Sequence, residues 1–478
     1  MAKFNNTNTI KTTNRSGHVA YSMRDKEKMI TQVLTSFFNE EKFYGDNTND
    51  MVETIKRVVS NDPAFISKLA VFARKEFHMR SVAHVLTAYL AHEPAGKPFV
   101  RDTIRGVCER GDDLTEIMAF YLQTFGKPIP NSLKKGINDQ IVQFDEYTLA
   151  KYKGDSKSVK MRDLICLCRP KPETPEQSEL FKRCLEDRLE TPLTWESELS
   201  ANGNNAGTWQ KLIDSGKVGY MAFLRNLRNI ITARPANIDK VYQKIADPVA
   251  VKRSKQLPFR YLSAFKSIIG CGTSKAFDAL ESAVEASFEN IEKLPGLSVV
   301  AIDVSGSMDN RISNKSEMTA GEIAWMLGII ASRICDDSIV YTFDTRLNTL
   351  QISHHTAILN ECLHANCGGG TDMSLPFLEI QKRGIKPDRV IVISDNECNS
   401  GWSVWRHKSI GQLADETRRS VGADFWVHAI DLMGYGTQQF SGPKTNIIAG
   451  WSEKVLNFIR IAENGKHSIF EKIDGYAW

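Results

Sequence analysis

Asp303, Ser305 and Ser307 stand at alternate positions directly after the apolar run of residues 299–302, so one carboxylate and two hydroxyls follow what reads as a buried strand. In an open α/β sheet, ligands gather beyond the carboxyl ends of the strands. A hard divalent cation takes oxygen ligands, keeps several waters and needs only one or two carboxylates from the protein, and the triplet supplies half of such a set. The other half can be found downstream. Residues 367–372 form a glycine-rich turn that carries the Thr371 hydroxyl, and residues 390–397 are a second apolar run ending in Ser-Asp-Asn-Glu. Asp303, Ser305, Ser307, Thr371 and Asp395 are therefore candidate ligands for a divalent metal ion, magnesium first, with manganese or calcium as alternatives. Ser and Asp after a strand serve more often as helix caps. It is the three segments together that point to a metal.

Such ligands meet only if their strands are neighbours. Residues 338–343, 390–394 and 425–430 read as further strands, and residues 323–334, 375–382, 412–419 and 452–461 as helices between them. Strands alternating with helices imply a doubly wound, mainly parallel sheet. The order Asp-x-Ser-x-Ser, then Thr, then Asp resembles the metal-ion-dependent adhesion site of a von Willebrand factor A domain, here expected over about residues 291–478.

The chain has 478 residues, 42% hydrophobic and 25% charged, which predicts a folded protein of two to four domains. No stretch approaches the roughly 20 apolar residues of a membrane helix, and the polar residues 1–15 do not read as a secretory signal. The nine cysteines are odd in number and scattered, which suits a reducing compartment, and a cytoplasmic location is expected. Cys362, His364, Cys367 and Cys398 are spaced too irregularly for an ordinary zinc set, and the three cysteines are expected to be buried or loop thiols. The net charge of +4 hides an asymmetry: residues 1–290 carry 43 Lys plus Arg against 35 Asp plus Glu, and residues 291–478 carry 18 against 22. Residues 225–266 alone hold ten basic and two acidic side chains, interleaved with Phe259, Tyr261, Tyr242, Tyr220 and Phe223 nearby. Cations mixed with rings suit phosphates and unstacked bases, although a charge run is ordinarily just a solvated face.

Ahead of the A-type region, apolar residues recur at helical spacing again and again: Met51, Ile55, Val58; Ile66, Leu69, Ala73; Val82, Leu86, Tyr89; Leu114, Ile117, Tyr121. Short breaks separate them, and Asp113 is a candidate N-cap. Short amphipathic helices cannot each bury a face alone, so an α-solenoid is expected. Residues 14–21 (NRSGHVAY), 161–172 (MRDLICLCRPKP), 219–229 (GYMAFLRNLRN) and 257–262 (LPFRYL) occur in the order found in the TROVE module. With the A-type region behind them, nearly the whole chain resembles the Ro autoantigen (Ro60) family.

The resemblance implies HEAT-like helical repeats closed into a ring over residues 1–290, followed by the A domain. It also implies a non-enzymatic RNA-binding monomer in RNA quality control or ribonucleoprotein assembly. Single-stranded 3′ ends of misfolded noncoding RNA would enter the ring, with Arg225, Arg228, Arg234 and Arg260 contributing. Small structured, Y-like RNA would bind the outer surface through Lys151, Lys157, Lys160, Arg162, Arg169 and Lys171. Arg169 stands where the family has a His, and one residue is inserted in the loop before it. A carboxylate from a protein partner, an exoribonuclease among others, would complete the metal's coordination. The rival readings are a metal-dependent adhesion-type scaffold without RNA, and a metal-dependent hydrolase, for which Asp309, Asp372 and Glu397 lie close to the ligands but more plausibly brace them. The pair His354–His355 is expected to be a surface pair.

Overall fold

A computed structural model describes residues 10–35, 46–154, 157–190, 192, 194–289, 291–312, 317–353, 355–399, 409–451, 453–464 and 469–478. His354 and Ser452, both part of the expectations above, lie outside these residues. The chain opens with a hairpin, β1 (Lys11–Thr13) and β2 (Val19–Ser22), and then runs through helices. These are α1 (Asp25–Leu34), α2 (Asp46–Asn61), α3 (Pro63–Glu76), α4 (Ser81–His92), α5 (Val100–Val107), α6 (Gly111–Phe125), α7 (Asn131–Ile141), α8 (Glu146–Lys151) and α9 (Met161–Cys168). They continue as α10 (Pro175–Leu185), α11 (Trp195–Asn202), α12 (Ala206–Asp214), α13 (Tyr220–Ala233), α14 (Ile238–Ala246), α15 (Pro248–Ser254), α16 (Pro258–Ile268) and α17 (Ser274–Phe288). Each apolar stripe named from the sequence is buried, and neighbouring helices pack in series.

The second half is a six-stranded sheet: β3 (Leu294–Asp303), β4 (Cys335–Phe343), β5 (Leu347–Leu350), β6 (Arg389–Ser394), β7 (Trp426–Asp431) and β9 (Thr445–Ala449), in the order β5-β4-β3-β6-β7-β9. All neighbours run parallel except edge strand β5. Helices α18 (Ala320–Ile334), α19 (Ile358–Cys362), α20 (Leu375–Arg383), α21 (Ile410–Val421), α22 (Asn457–Glu463) and α23 (Ile469–Asp474) complete the chain. Strands that the sequence pattern does not announce are β1, β2, β5, β9 and the two-residue β8 (Thr437–Gln438), all short or at an edge. Helix α18 is buried on nearly every side, as expected of a helix lodged between a sheet and other helices. It lies so close to β3 that a Cβ on Gly328 would sit 2.3 Å from Ile302 Cδ1.

Both ends of the helical series rest on the sheet domain. At one end Phe65 of α3 stacks on Phe470 of α23, with 5.3 Å between centroids, and Phe77 stacks on Phe458 at 6.0 Å. At the other, Lys266 of α16 pairs with Glu322 at 2.5 Å, Glu285 pairs with Arg333 at 2.7 Å, and Glu281 accepts from the Leu359 and Asn360 N–H groups that open α19. The two ends face each other across a cavity of about 430 Å³ lined by Lys75 and His78 from one, Lys252 and Lys255 from the other, and Lys454 from the sheet domain. The series is thereby closed into a ring. The hairpin joins the closure, because Tyr21 and Ser22 of β2 pair with Gln438 and Thr437 of β8.

Within the ring, Asp113 is not the N-cap of α6. It sits in the first turn, fully buried, and accepts from the Glu109 and Arg110 N–H groups at 3.0 and 2.9 Å, from His84 at 3.0 Å, and from Arg80 and Arg74. One carboxylate thus ties α3, α4 and α6 together. Burial alone would raise its pKa; His84, Arg80 and Arg74 outweigh that and hold it below the usual carboxylate range. Asp113→Ala strands buried cations and should cost about 3–5 kcal/mol, read as a lowered denaturant midpoint. A second expectation concerns His78, held at φ 56° in the turn after α3. Burial, then Lys454 and Lys255, push its pKa down to about 4. A folded pKa below the unfolded value means that stability is present above about pH 6.5 and lost as pH falls toward 4. Thermal unfolding of the full chain should fall across that window, and His78→Asn, which tolerates the same φ, should flatten the fall.

Candidate metal centre and basic surface

The β3–β6 register, Ile302 opposite Ile393, brings the ends of these two strands side by side. Ser394 Oγ donates to Asp303 Oδ2 at 2.6 Å, and the Ser305 N–H donates to Asp303 Oδ1 at 2.8 Å. Ser305 and Ser307 Oγ lie 3.3 Å apart. The glycine-rich turn folds against this loop, with the Gly306 N–H donating to Gly369 O at 3.0 Å and the Gly368 N–H to Val304 O at 2.9 Å. The approach at Gly306 is close, since a Cβ would meet Gly369 O at 3.1 Å. Thr371 is anchored to the loop after β6: its N–H donates to Asn399 Oδ1 at 2.8 Å, and its carbonyl accepts from the Asn399 N–H at 3.1 Å.

Asp303, Ser305, Thr371 and Asp395 are all buried, yet Thr371 Oγ1 and Asp395 Oδ2 have no hydrogen-bond partner among the described residues. Buried polar atoms are nearly always satisfied, so two orphaned oxygens among the five candidate positions fit a role as cation ligands. Electrostatics agree. Burial, and then the charge of Asp395, push Asp303 up to about 7, and burial raises Asp395 against the opposing Ser307 hydroxyl.

Other acids have separate duties. Asp372 Oδ1 accepts from the Ser374 N–H and hydroxyl at the entry to α20, and Asp309 is exposed. Two further acids stand near the candidate ligands: Glu397, named above, and Asp431, which the expectations above did not include. Glu397 reaches the hairpin, accepting from the Ser16 N–H at 3.4 Å beside the Asn14 Nδ2 to Cys398 O bond of 2.8 Å. Asp431, buried at the end of β7, accepts from the Met433 and Gly434 N–H groups, and its Oδ2 has no partner among the described residues. Burial pushes both up to about 7. The signal for Asp431 was present, a third apolar run ending in acid. Among the described residues no three His, Cys, Asp or Glu side chains converge, and Cys362 and Cys398 are buried thiols.

Of the ten candidate basic residues, Lys157 is engaged by Glu116 at 2.6 Å. The other nine have no acidic partner among the described residues. Arg169 and Arg234 sit at φ 54° as the left-handed ends of α9 and α13, with exposed side chains. Arg225 and Arg228 are exposed one turn apart on α13. Arg260 reaches solvent with much protein around it; desolvation, then the nearby Arg225 guanidinium, lower its pKa. The rings offered by the sequence as stacking surfaces are a correction. Phe259, Tyr261, Tyr242, Tyr220 and Phe223 are buried, because they occupy the inward stripe of their helices. The accessible rings are elsewhere. Tyr147 and Tyr152 flank Lys151, whose Nζ lies 5.3 and 5.5 Å from their centroids, and with Trp195, Arg110 and Arg225 they line a cavity of about 320 Å³. Lys151 and Arg225, which the sequence reading had assigned to different surfaces, line the same cavity.

Among the described residues no helix is long and apolar enough to cross a membrane. The TROVE domain family matches residues 18–187 and 187–276, and the Ro60 vWA domain matches residues 298–410. Among curated proteins the chain is similar to telomerase protein component 1 of Rattus norvegicus, 26% identical over 336 residues, which is 52% of this chain and 13% of that protein. It is 28% identical over 202 residues to RNA-binding protein RO60 of Deinococcus radiodurans, 38% of each chain. These matches span well under two thirds of the relatives' own lengths. The crystal structure of the Deinococcus radiodurans RO (RSR) protein shares the fold, with a TM-score of 0.62 at 17% identity over 92% of this chain and all of that one. With the TROVE match covering more than half of its residues and the Ro60 vWA match following in order, the chain belongs to the Ro60 family.

Proposed function

We propose that this chain is a cytoplasmic RNA-binding scaffold whose work divides near residue 290. The helical ring captures single-stranded 3′ ends of misfolded or noncoding RNA and holds small structured, Y-like RNA on its surface. The sheet domain carries a divalent cation, magnesium first. The observation that carries the RNA reading is the set of exposed arginines Arg225, Arg228, Arg234 and Arg260, none with an acidic partner among the described residues, with Arg225 near enough to Arg260 to lower its pKa after desolvation. Like charges held together in the free protein are stabilised by a bound polyanion, and planar guanidiniums suit phosphate. Arg228 and Arg234 extend the same helix. Lys151, Lys160, Arg162, Arg169 and Lys171 supply free cations for the structured RNA, whereas Lys157 must first leave Glu116. The relative named RNA-binding protein RO60 supports the same reading.

Asp303, Ser305, Ser307, Thr371 and Asp395 would hold the ion, which supplies positive charge to two buried carboxylates and an open position for a carboxylate from a protein partner, such as an exoribonuclease. Asp303 and Asp395 would ligate as anions while Ser305, Ser307 and Thr371 direct their hydroxyl oxygens inward.

Affinity for a single-stranded RNA tail should fall steeply between about 50 and 200 mM salt, as counterions return to the phosphates. Arg225→Ala with Arg260→Ala should weaken binding across sequences and flatten the log–log slope by about 2, one unit for each phosphate contact removed. A flat salt profile in the unsubstituted chain would leave the adhesion-type scaffold as the better reading. For the ion, magnesium at 100 times its Kd should add about 2.7 kcal/mol to the stability of the sheet domain. Asp303→Asn should abolish that gain, measured by thermal shift with and without EDTA, while leaving tail affinity within about twofold, because the two surfaces lie in different halves of the molecule.

A further inference from the structure

The cavity between α8, α11 and α13 combines two kinds of wall. One is aromatic: Tyr147 is 50% exposed, and Tyr152 and Trp195 are partly so. An exposed aromatic ring beside a cavity is costly for a free surface to keep and useful for a flat ligand. The other wall is cationic. Lys151 and Arg225 have no acidic partner among the described residues, and Arg110, though paired with Asp112 at 3.0 Å, lies with its guanidinium 5.3 Å from the Tyr152 centroid. Glu196, at the mouth, is the one acid among the lining side chains. It offers an acceptor for an exocyclic amine.

The shape is built rather than incidental. Gly111 opens α6 without a side chain, and a Cβ there would lie 2.8 Å from the Tyr152 ring, so glycine lets the ring pack against that helix. Lys151 projects between Tyr147 and Tyr152, four residues beyond the first and adjoining the second, which steadies both rings from the cation side. A volume of about 320 Å³ falls at the small end of the range for small-molecule sites, roughly 300–1,000 Å³, and is too small for a folded RNA element. A flat π-system carrying one or two negative charges matches both walls.

We infer that this cavity is a nucleotide pocket, in which one unstacked base lies against Tyr147 and Trp195 while its phosphate is met by Lys151 and Arg225. The inference rests on the RNA-binding reading for the source of that nucleotide, a single-stranded segment of bound RNA; a free mononucleotide offers the same chemistry. The pocket would therefore add a base-dependent, sequence-tolerant term to a phosphate-dominated interaction.

The test compares the full chain with Tyr147→Ala and Trp195→Ala, singly and together, and with Tyr147→Phe as the conservative control that keeps the ring. Each is titrated with a single-stranded RNA oligomer, with the same ribose-phosphate backbone lacking bases, and with uridine and adenosine monophosphate. Tyr147 is half exposed, so its truncation leaves the core intact, and unfolding curves check this for Trp195. The unsubstituted chain should bind the oligomer about tenfold or more tightly than the abasic backbone, the double variant should lose that preference, and Tyr147→Phe should retain it. Equal oligomer affinity in the double variant and the unsubstituted chain would overturn the pocket while leaving the RNA reading standing. Mononucleotide binding that depends on both rings, in a chain that does not bind the oligomer, would support the pocket and overturn the RNA reading. Binding of neither probe would overturn both.

Discussion

A stack of short amphipathic helices has two open apolar ends, and in this chain a single α/β domain covers both. The Phe65–Phe470 and Phe77–Phe458 stacks close one end, and the Lys266–Glu322 and Glu285–Arg333 pairs close the other. Solenoids ordinarily meet this need with polar capping repeats. Here the cap is shared, so the separation of the two ends is fixed by the width of the sheet domain, and the series bends into a ring. Charged and apolar contacts occur at both ends: Lys454 lies 4.0 Å from Glu76 beside the ring stacks, and the buried α19 packs against α16 and α17 beside the charged pairs.

The sheet domain in turn is organised by buried carboxylates at strand ends. Asp303, Asp395 and Asp431 stand at the ends of β3, β6 and β7, and Glu397 adds a fourth acid, which Arg15 compensates in part. Burying such groups is unfavourable unless something offsets it. Part of the offset is visible in the N–H and hydroxyl donors of the tight loops, which leave specific oxygens unmatched. The same carboxyl ends receive the amino-terminal hairpin, through Asn14 and Ser16. These buried acids and the hairpin therefore belong to one structural unit.

Much of this was legible in the sequence, for local reasons. The helical stripes of α2, α3, α4 and α6 and the apolar runs of β3, β4, β6 and β7 are strong periodic signals, and the metal candidates follow from strands that end in acid or hydroxyl. What was not legible depends on distance along the chain. Strand β8 has two residues and no pattern; only its partner β2, more than 400 residues earlier, defines it. Asp113 reads locally as a cap, whereas its role is set by Arg74, Arg80 and His84 from two other helices. The rings of residues 220–261 show how composition misleads: proximity in sequence to arginines says nothing of which face of a helix a ring occupies. Tyr147 and Lys151, four residues apart beside Tyr152, formed a simpler signal that only the surface made visible.

The β2–β8 pairing also orders events in time. A ribosome releases residues 19–22 long before residues 437–438 exist, so the hairpin must wait for nearly the entire chain before its outer edge is matched. Helices α2–α17, built from contacts between near neighbours in sequence, can consolidate as they emerge. The nascent protein is then an open arc, with the outer edge of β2 unpaired and the Phe65 and Phe77 end uncovered until α22 and α23 are made. Ring closure is in this sense a late step: a product truncated before β8 keeps its hold on the sheet domain at the Lys266–Glu322 end but lacks the ring stacks that fasten the other.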